Sequence, residues 1–199
     1  IARLFRNKGY EEILDAMPHA IAAMTPTSDA LSRASAAAAP RLRFVWIGDG
    51  AYRLRYERKL ESLGLRDRVR LLGLLRPDAV AERINGFDIA LHASKWEGLP
   101  RALVQALLTE VPAISFDNDG APEVVIPNGT GLLVPLGDTE GLARAIAGLA
   151  NAPDLRRAMG RRGRERCLAE FDWRAMVTKI ESVYRRALRP GEQSRSRRQ

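Results

Sequence analysis

The stretch "FDIALHASKWEGLPRALVQALLTEVPAISFD" (residues 87–117) passes from an apolar run through a loop into a second apolar segment, then into a third. Residues 87–94 read as a strand, 100–109 as a helix and 111–117 as a strand. Both strands are continuously apolar rather than alternating, which means that both faces of their sheet are covered. Strand, helix, strand is a βαβ unit, and it sets its two strands parallel.

The same rhythm runs upstream. "RFVWIG" (43–48) reads as a strand and "RLRYERKLESLG" (53–64) as a helix stopped by Gly64. "RVRLLG" (68–73) reads as a strand, and "PDAVAERI" (77–84) as a helix with proline in its first turn. Beyond residue 137 strands give way to helices. "DTEGLARAIAGLANAP", "DLRRAMGRRGRERCLAEF" and "DWRAMVTKIESVYRRAL" each open on an aspartate suited to cap free amides. The fold class expected is α/β: a Rossmann-like, doubly wound parallel sheet with helices on both faces, closed by C-terminal helices. One domain is expected over residues 1–188. Residues 25–40 read as a long surface connection. The opening residues "IARLF" read as the last residues of a strand.

The chain has 199 residues, of which 46% are hydrophobic and 28% charged, which is globular composition. Its formal net charge is +8. Residues 189–199, "RPGEQSRSRRQ", carry four arginines and one glutamate, so +3 of that charge belongs to a segment with no apolar residue, expected to be a disordered tail. Six further arginines lie between 156 and 166. A solvated helix face is the plainer reading of that cluster, and a surface that attracts anions such as acidic lipid is the sharper one. The single cysteine, Cys167, excludes an internal disulfide. No apolar run is long enough to span a bilayer. With His19 and His92 the only histidines, a transition-metal site is not expected. Neither a Walker motif nor a nucleophile elbow is present.

Several loops at strand ends can carry chemistry. Glu97, Gly98, Leu99 and Pro100 link a strand to a helix, at the carboxyl edge where parallel sheets bind ligands. Free amides at the helix mouth favour an anion, and Glu97 suits hydroxyls beside it. Taken alone, the Gly-Leu-Pro start is an ordinary turn. Gln105 sits among Leu103, Val104, Ala106, Leu107 and Leu108, and an amide buried there needs a partner. A main-chain carbonyl or a ligand hydroxyl would serve. In "RLFRNKG" (3–9), Arg3 closes a strand and Lys8 precedes the next helix; the two can converge on a diphosphate, or form a plain basic turn. "IGDG" (47–50) places Gly48 at a strand-end turn. Asp119 and Glu123 in "DNDGAPEVV" (117–125) can bind hydroxyls or simply cap. His92 reads as packed rather than as a ligand.

In this order, "ARLFRNKG", "IGDG", "VRLLG", "EGLPRALVQ", "DGAPEVV" and "GTGLLVPLGD" resemble the nucleotide-sugar-binding half of GT-B-fold retaining glycosyltransferases of family four, the group 1 glycosyl transferases. The resemblance covers roughly residues 2–188. It implies that Arg3 and Lys8 hold the donor's diphosphate and that Glu97 contacts the donor sugar, and these three are the catalytic candidates. It implies donor-binding roles for Gly48, Leu72, Gly98, Leu99, Pro100, Arg101 and Gln105, with Gln105 on the ribose and Leu72 beside the base. The implied activity is retaining transfer from a nucleoside diphosphate sugar in polysaccharide, glycolipid or envelope glycan synthesis, with no cofactor and no required metal.

The implied partners are the sugar nucleotide, an absent N-terminal acceptor-binding domain and an anionic membrane surface met by the basic helices, with no specific nucleic acid. A cytoplasmic location, peripheral at the inner membrane face, goes with them. Such a chain is expected to be an excised C-terminal domain that binds nucleotide but turns over little alone. Three positions depart from the pattern. Ala2 replaces a glycine, Gln105 replaces the second glutamate, and Glu110 replaces a helix-ending glycine, which points to a different helix end. A degenerate sugar-nucleotide binder is the alternative reading, and a basic nucleic-acid module a weaker one.

Overall fold

The computed structural model describes residues 2–24 and 42–188. The expected surface connection over 25–40 and the expected disordered tail over 189–199 lie outside the described residues. A 3-10 turn at Arg6–Lys8 leads through Gly9, at φ 69°, into helix α1 (Tyr10–Met24). Then follow β1 (Phe44–Trp46), α2 (Arg53–Ser62), β2 (Val69–Leu71), α3 (Pro77–Ile84), β3 (Ala90–His92), α4 (Arg101–Leu108), β4 (Ala113–Phe116), α5 (Ala121–Val124) and β5 (Gly131–Val134). Helices α6 (Thr139–Ala150), α7 (Pro153–Glu170) and α8 (Trp173–Ala187) complete the described chain.

All strand pairs are parallel, as the βαβ rhythm requires. Helices cover both faces, and β4 shows this residue by residue. Ile114 and Phe116 join the core built by Leu14 and Met17 of α1 with Leu142 and Ile146 of α6. Ala113 points the other way, into a second core with Leu103 and Leu107 of α4 and Cys167 of α7. The two-residue period of a strand accounts for the division. Tyr10, Trp46 and Tyr56 form an aromatic cluster under α1, with Tyr10 centred 4.7 Å from Trp46 and 5.4 Å from Tyr56.

Among the described residues, the strands pair in two sheets. β1 pairs with β2, and β3, β4 and β5 pair in that order. Arg3, expected to close a strand, lies in an extended segment tied to the end of β1: the Ala2 amide donates to the Ile47 carbonyl at 3.1 Å, and the Leu4 amide to the Asp49 carbonyl at 2.9 Å.

Two of the three aspartate caps form. Asp138 accepts from the Gly141 amide and Asp172 from the Arg174 amide. Asp154 does not cap, because α7 starts one residue earlier at Pro153. It pairs instead with Arg157 at 2.5 Å. Glu110 also departs from expectation. It takes φ 61°, so the left-handed exit is kept although the residue is not glycine. The Glu110 amide donates to Leu107 and the Val111 amide to Ala106, both at 3.0 Å, which is the Schellman pattern of helix termination.

The arginine cluster on α7 works largely as a set of clamps. Arg156 donates to the carbonyls of Leu149 and Ala150 at the end of α6, Arg164 to Leu108 at the end of α4, and Arg166 to Glu123 on α5. Arg162 reaches the Gly129 carbonyl at 2.8 Å. Guanidinium groups at helix C-termini satisfy orphan carbonyls and complement the helix dipole. Gly160 makes this close approach feasible, since a Cβ there would stand 1.9 Å from the Glu110 carbonyl oxygen. Helix α8 differs from the packed closing helix expected. None of its residues is buried, and Trp173, Met176, Ile180, Val183 and Tyr184 are all exposed.

Candidate functional site

At the carboxyl ends of β3 and β4, two loops close on each other. Residues 94–100 lead from β3 to α4, and residues 117–120 lead from β4 to α5. The Asp119 carboxylate accepts from the Glu97 amide at 2.9 Å, and the Gly120 amide donates to the Glu97 carbonyl at 3.3 Å. The Asn118 side-chain amide donates to the Lys95 carbonyl at 2.8 Å. Gly120 is required by space, because a Cβ there would stand 1.7 Å from the Gly98 carbonyl oxygen. A short Asp-Gly turn after an apolar strand was the available signal for this lock, but its partner loop lies a helix and a strand away.

The first segment supplies the third wall. The Asn7 carbonyl accepts from the Lys95 amide at 2.8 Å, which carries Lys8 to the front of the loops. The Lys8 ammonium donates to the Glu97 carboxylate in a partly buried ion pair. Asn7, Lys8, Trp96, Glu97, Gly98, Asp119 and Gly120 line an open cleft. Asn7 and Trp96 were not foreseen as site residues. Trp96 is 64% exposed at the lip, where its ring does no work for the core.

Burial tends to raise the Glu97 carboxyl pKa. The hydrogen bond and charge of Lys8 oppose that, with help from His92 and Ser94, and the net result lies below the usual glutamate value. His92 lies behind the pair, with Nε2 3.9 Å from Glu97 Oε2 and Nδ1 3.4 Å from the Ser115 hydroxyl. Burial, with smaller contributions from the charge of the chain's N-terminus and of Lys8 and against the opposing charge of Glu97, pushes this imidazole down to about 4, so it is neutral near pH 7. His92 is therefore packed, as expected, yet it forms the floor beneath the pair.

Helix α4 begins at Arg101 with Pro100 as its preceding residue and no side-chain cap. The Arg101 amide donates to the Leu99 carbonyl at 2.9 Å. Among the described residues, no hydrogen bond occupies the amides of Gly98, Leu99 or Ala102. Gly98 and Leu99 are exposed, and a Cβ added at Gly98 would meet nothing within 4 Å. Polar main-chain groups beside a cation in a cleft can hold an anion.

The remaining candidates are dispersed. Arg3 is exposed and lies over the Phe5 ring, 5.0 Å from its centroid, and is not part of the cleft lining. Gly48 packs against the first segment: its amide donates to Gly73 at 2.8 Å, and a Cβ would stand 1.9 Å from the Ala2 carbonyl oxygen. The Leu72 amide donates to Trp46 at 2.9 Å, which extends the β1–β2 ladder. Gln105 corrects a premise. It is exposed, not buried among its leucines. Leu103, Ala106 and Leu107 form the inward stripe of α4, and Arg101 and Gln105, four residues apart, share the outward side. No internal partner is required for an amide there.

Comparison with known proteins adds the family. The sequence model for "Glycosyl transferases group 1" matches residues 1–166. The chain belongs to the group 1 glycosyl transferases. Within that family it is 33% identical over 147 residues to the N-acetyl-alpha-D-glucosaminyl L-malate synthase of Bacillus anthracis, covering 74% of this chain and 38% of that protein. It is also 32% identical over 145 residues to the putative glycosyltransferase EpsD of Bacillus subtilis, covering 73% of this chain and 37% of that protein. The chain thus spans about two-fifths of the length of these relatives.

Among solved structures it shares its fold with Anabaena Alr3699/HepE in complex with UDP and glucose, at TM-score 0.77 and 22% identity, covering 92% of this chain and 46% of that one. The C-terminal domain of a group 1 family protein, LpcC, from Francisella tularensis aligns at TM-score 0.71 and 19% identity, covering 86% and 84% of the two chains. Parallel strands with helices on both faces are therefore a Rossmann-like half of the GT-B architecture.

Proposed function

We propose that the cleft binds a nucleoside diphosphate sugar and that the chain is the donor-binding part of a glycosyltransferase that retains the anomeric configuration. The observation that carries this reading is the Lys8–Glu97 pair at the mouth of α4, beside the unoccupied amides of Gly98 and Leu99. A cation and free main-chain donors suit a diphosphate. A carboxylate held ionised next to them suits the hydroxyls of the attached sugar. Relatives named as sugar transferases, and a fold shared with a UDP-bound protein, support it.

In this scheme Lys8 releases part of its contact with Glu97 and meets the diphosphate, whose charge grows as the glycosidic bond breaks. The amides of Gly98 and Leu99 stabilise the same charge without reorganising, and Glu97 orients the sugar. Arg3 joins Lys8 by leaving the Phe5 ring. Pro100 and Arg101 set the helix mouth, Gln105 on the outward side of α4 meets the ribose, and the turn of Gly48 and Leu72 flanks the base. With Lys8 and Arg3 supplying positive charge, transfer needs no metal, and EDTA leaves the activity of a complete enzyme unchanged.

The acceptor is bound by a further domain. The products are polysaccharide, glycolipid or envelope glycan made at the cytoplasmic face of a membrane, and this chain alone binds donor with little turnover. Calorimetry against UDP, GDP and ADP, and then their sugar conjugates, tests the reading. Binding of at least one, weakened about tenfold or more by Lys8→Ala, is expected. Binding of none removes the assignment.

A further inference from the structure

The three tryptophans of the chain have different surroundings. Trp46 is buried and packs against Tyr10 and Tyr56. Trp173 lies on the surface with the Arg174 guanidinium over its ring, 4.7 Å from the centroid. Trp96 is 64% exposed and lines the cleft together with Lys8, Glu97 and Gly98. Among the described residues, no second ring and no cation covers its indole. A lone exposed apolar side chain is ordinary on a protein surface. A bare aromatic face inside a cleft of charged and main-chain polar groups is the make-up of a ligand site.

The backbone beneath that ring is tied down on both sides. The Lys95 amide donates to the Asn7 carbonyl and the Lys95 carbonyl accepts from Asn118, both at 2.8 Å. The Trp96 carbonyl accepts from the buried Ser94 hydroxyl at 3.1 Å. The Glu97 amide is held by Asp119 at 2.9 Å. Of the neighbouring side chains, Lys95 is paired with Glu12 of α1 at 2.6 Å, and Glu97 with Lys8. Trp96 thus presents its ring from a fixed base, between two side chains already engaged. With only two side-chain torsions, tryptophan offers a large contact area at low entropic cost.

We propose, resting on the donor site described above, that Trp96 is a sugar-stacking residue whose indole covers one face of the hexopyranose ring carried by the nucleoside diphosphate. Along the loop the order is aromatic ring, carboxylate and main-chain amides, at Trp96, Glu97 and Gly98–Leu99. With the diphosphate on Lys8 and the amides, and the sugar's hydroxyls on Glu97, the surface the ligand next offers to the loop is the face of the sugar itself. A pyranose has a polar rim of hydroxyls and a less polar face of C–H groups. The rim suits a carboxylate. The C–H groups, weakly positive, suit the electron-rich face of an aromatic ring. A nucleobase would also stack on an indole, but in the donor site the base lies by Gly48 and Leu72, which do not line this cleft. Trp96 therefore lets the site distinguish a sugar conjugate from the bare nucleotide, and favours a six-membered hexose.

The test is calorimetry of the native chain, Trp96→Phe and Trp96→Ala. The ligands are UDP, GDP and ADP, and then UDP-glucose, UDP-N-acetylglucosamine, GDP-mannose and ADP-glucose. For the nucleotide that the native chain binds, Trp96→Ala is expected to weaken the hexose conjugate about fivefold or more and the bare diphosphate less than about twofold. Trp96→Phe, which keeps an aromatic face, should retain most of the conjugate's affinity. Neither substitution should move the Tm, because the side chain is exposed. Equal weakening of conjugate and bare diphosphate overturns the proposal, since the ring would then serve the base, the phosphates or the loop. Weakening of neither overturns it too, as does binding of the diphosphates but of no conjugate. In these three outcomes the nucleotide site stands. If the native chain binds no ligand of either set, the donor site itself falls, and the stacking role with it.

Discussion

The Asp119 carboxylate holds the main-chain amide of Glu97 at 2.9 Å from a backbone set at φ 47°. Aspartate and asparagine tolerate this left-handed region better than most residues, so one side chain both permits the turn and ties down the loop that carries Glu97. Asp119→Ala loses the acceptor and adds backbone strain. A stability loss of about 1–2 kcal/mol and donor binding weakened roughly tenfold are expected. Asp119→Asn, which keeps the conformation and an acceptor oxygen, should retain most of both. Thermal melts and calorimetry on the pair decide it.

Gln105 gives a cleaner test of the ribose assignment now that its side chain is known to face outward. Gln105→Glu should change stability by no more than about 0.5 kcal/mol, as at most exposed positions. If the amide meets ribose, a carboxylate strengthens that hydrogen bond, and nucleotide affinity rises roughly fivefold to tenfold. An unchanged affinity would place Gln105 outside the site.

How far the sequence led can be judged on such residues. Pro77 marked the start of α3, and Phe87–Ser94 and Val111–Asp117 marked β3 and β4, because element type follows from short-range pattern. The inward and outward sides of α4 were also legible, in the spacing of Leu103, Ala106 and Leu107, whereas the apolar residues adjacent to Gln105 in sequence give it the look of a buried position. The Asp119 lock and the arginine clamps were not legible. Their partners are main-chain groups on distant elements, and no local pattern names a carbonyl. The separation of the strands into two sheets is likewise a matter of pairing, which strand-by-strand reading does not reach.

His92 makes stability depend on pH. Its folded value of about 4 lies below the ordinary 6.5. A depressed histidine contributes stability above the unfolded value, and that contribution falls away as pH drops towards the folded one. Against His92→Gln, the native chain should lose roughly 3 kcal/mol of relative stability between pH 6.5 and pH 4. Denaturant melts across that range measure the difference, and parallel curves would contradict it.

Glu110 occupies a glycine's conformation at φ 61° and has only a marginal ionic contact, 4.0 Å from Arg164. Glu110→Gly relieves the strain and keeps the Schellman hydrogen bonds, so a gain of about 1 kcal/mol is expected. Gly160→Ala should do the opposite, losing 2 kcal/mol or more, because the added Cβ meets the Glu110 carbonyl. Chemical denaturation of the two variants reads both signs.

Cys167 reports on the packing of α7. It is buried, and burial pushes its thiol up to about 11. Thiol reagents should label the native protein at least a hundredfold more slowly than the denatured one at pH 8, since the thiolate is the reactive form and the sulfur is covered. Fast native labelling would mean that α7 opens readily from α4.

The carbonyl clamps made by Arg156, Arg162, Arg164 and Arg166 have a corollary for acid. Neither partner in such a contact titrates in the range a protein survives, for guanidinium stays charged and a main-chain carbonyl has no proton to gain. The cleft is built from the opposite material: Lys8 is held by a carboxylate that protonates, above an imidazole that charges. Acidification to about pH 4, where His92 charges, therefore reaches the groups of the cleft while leaving the arginine clamps around it unchanged.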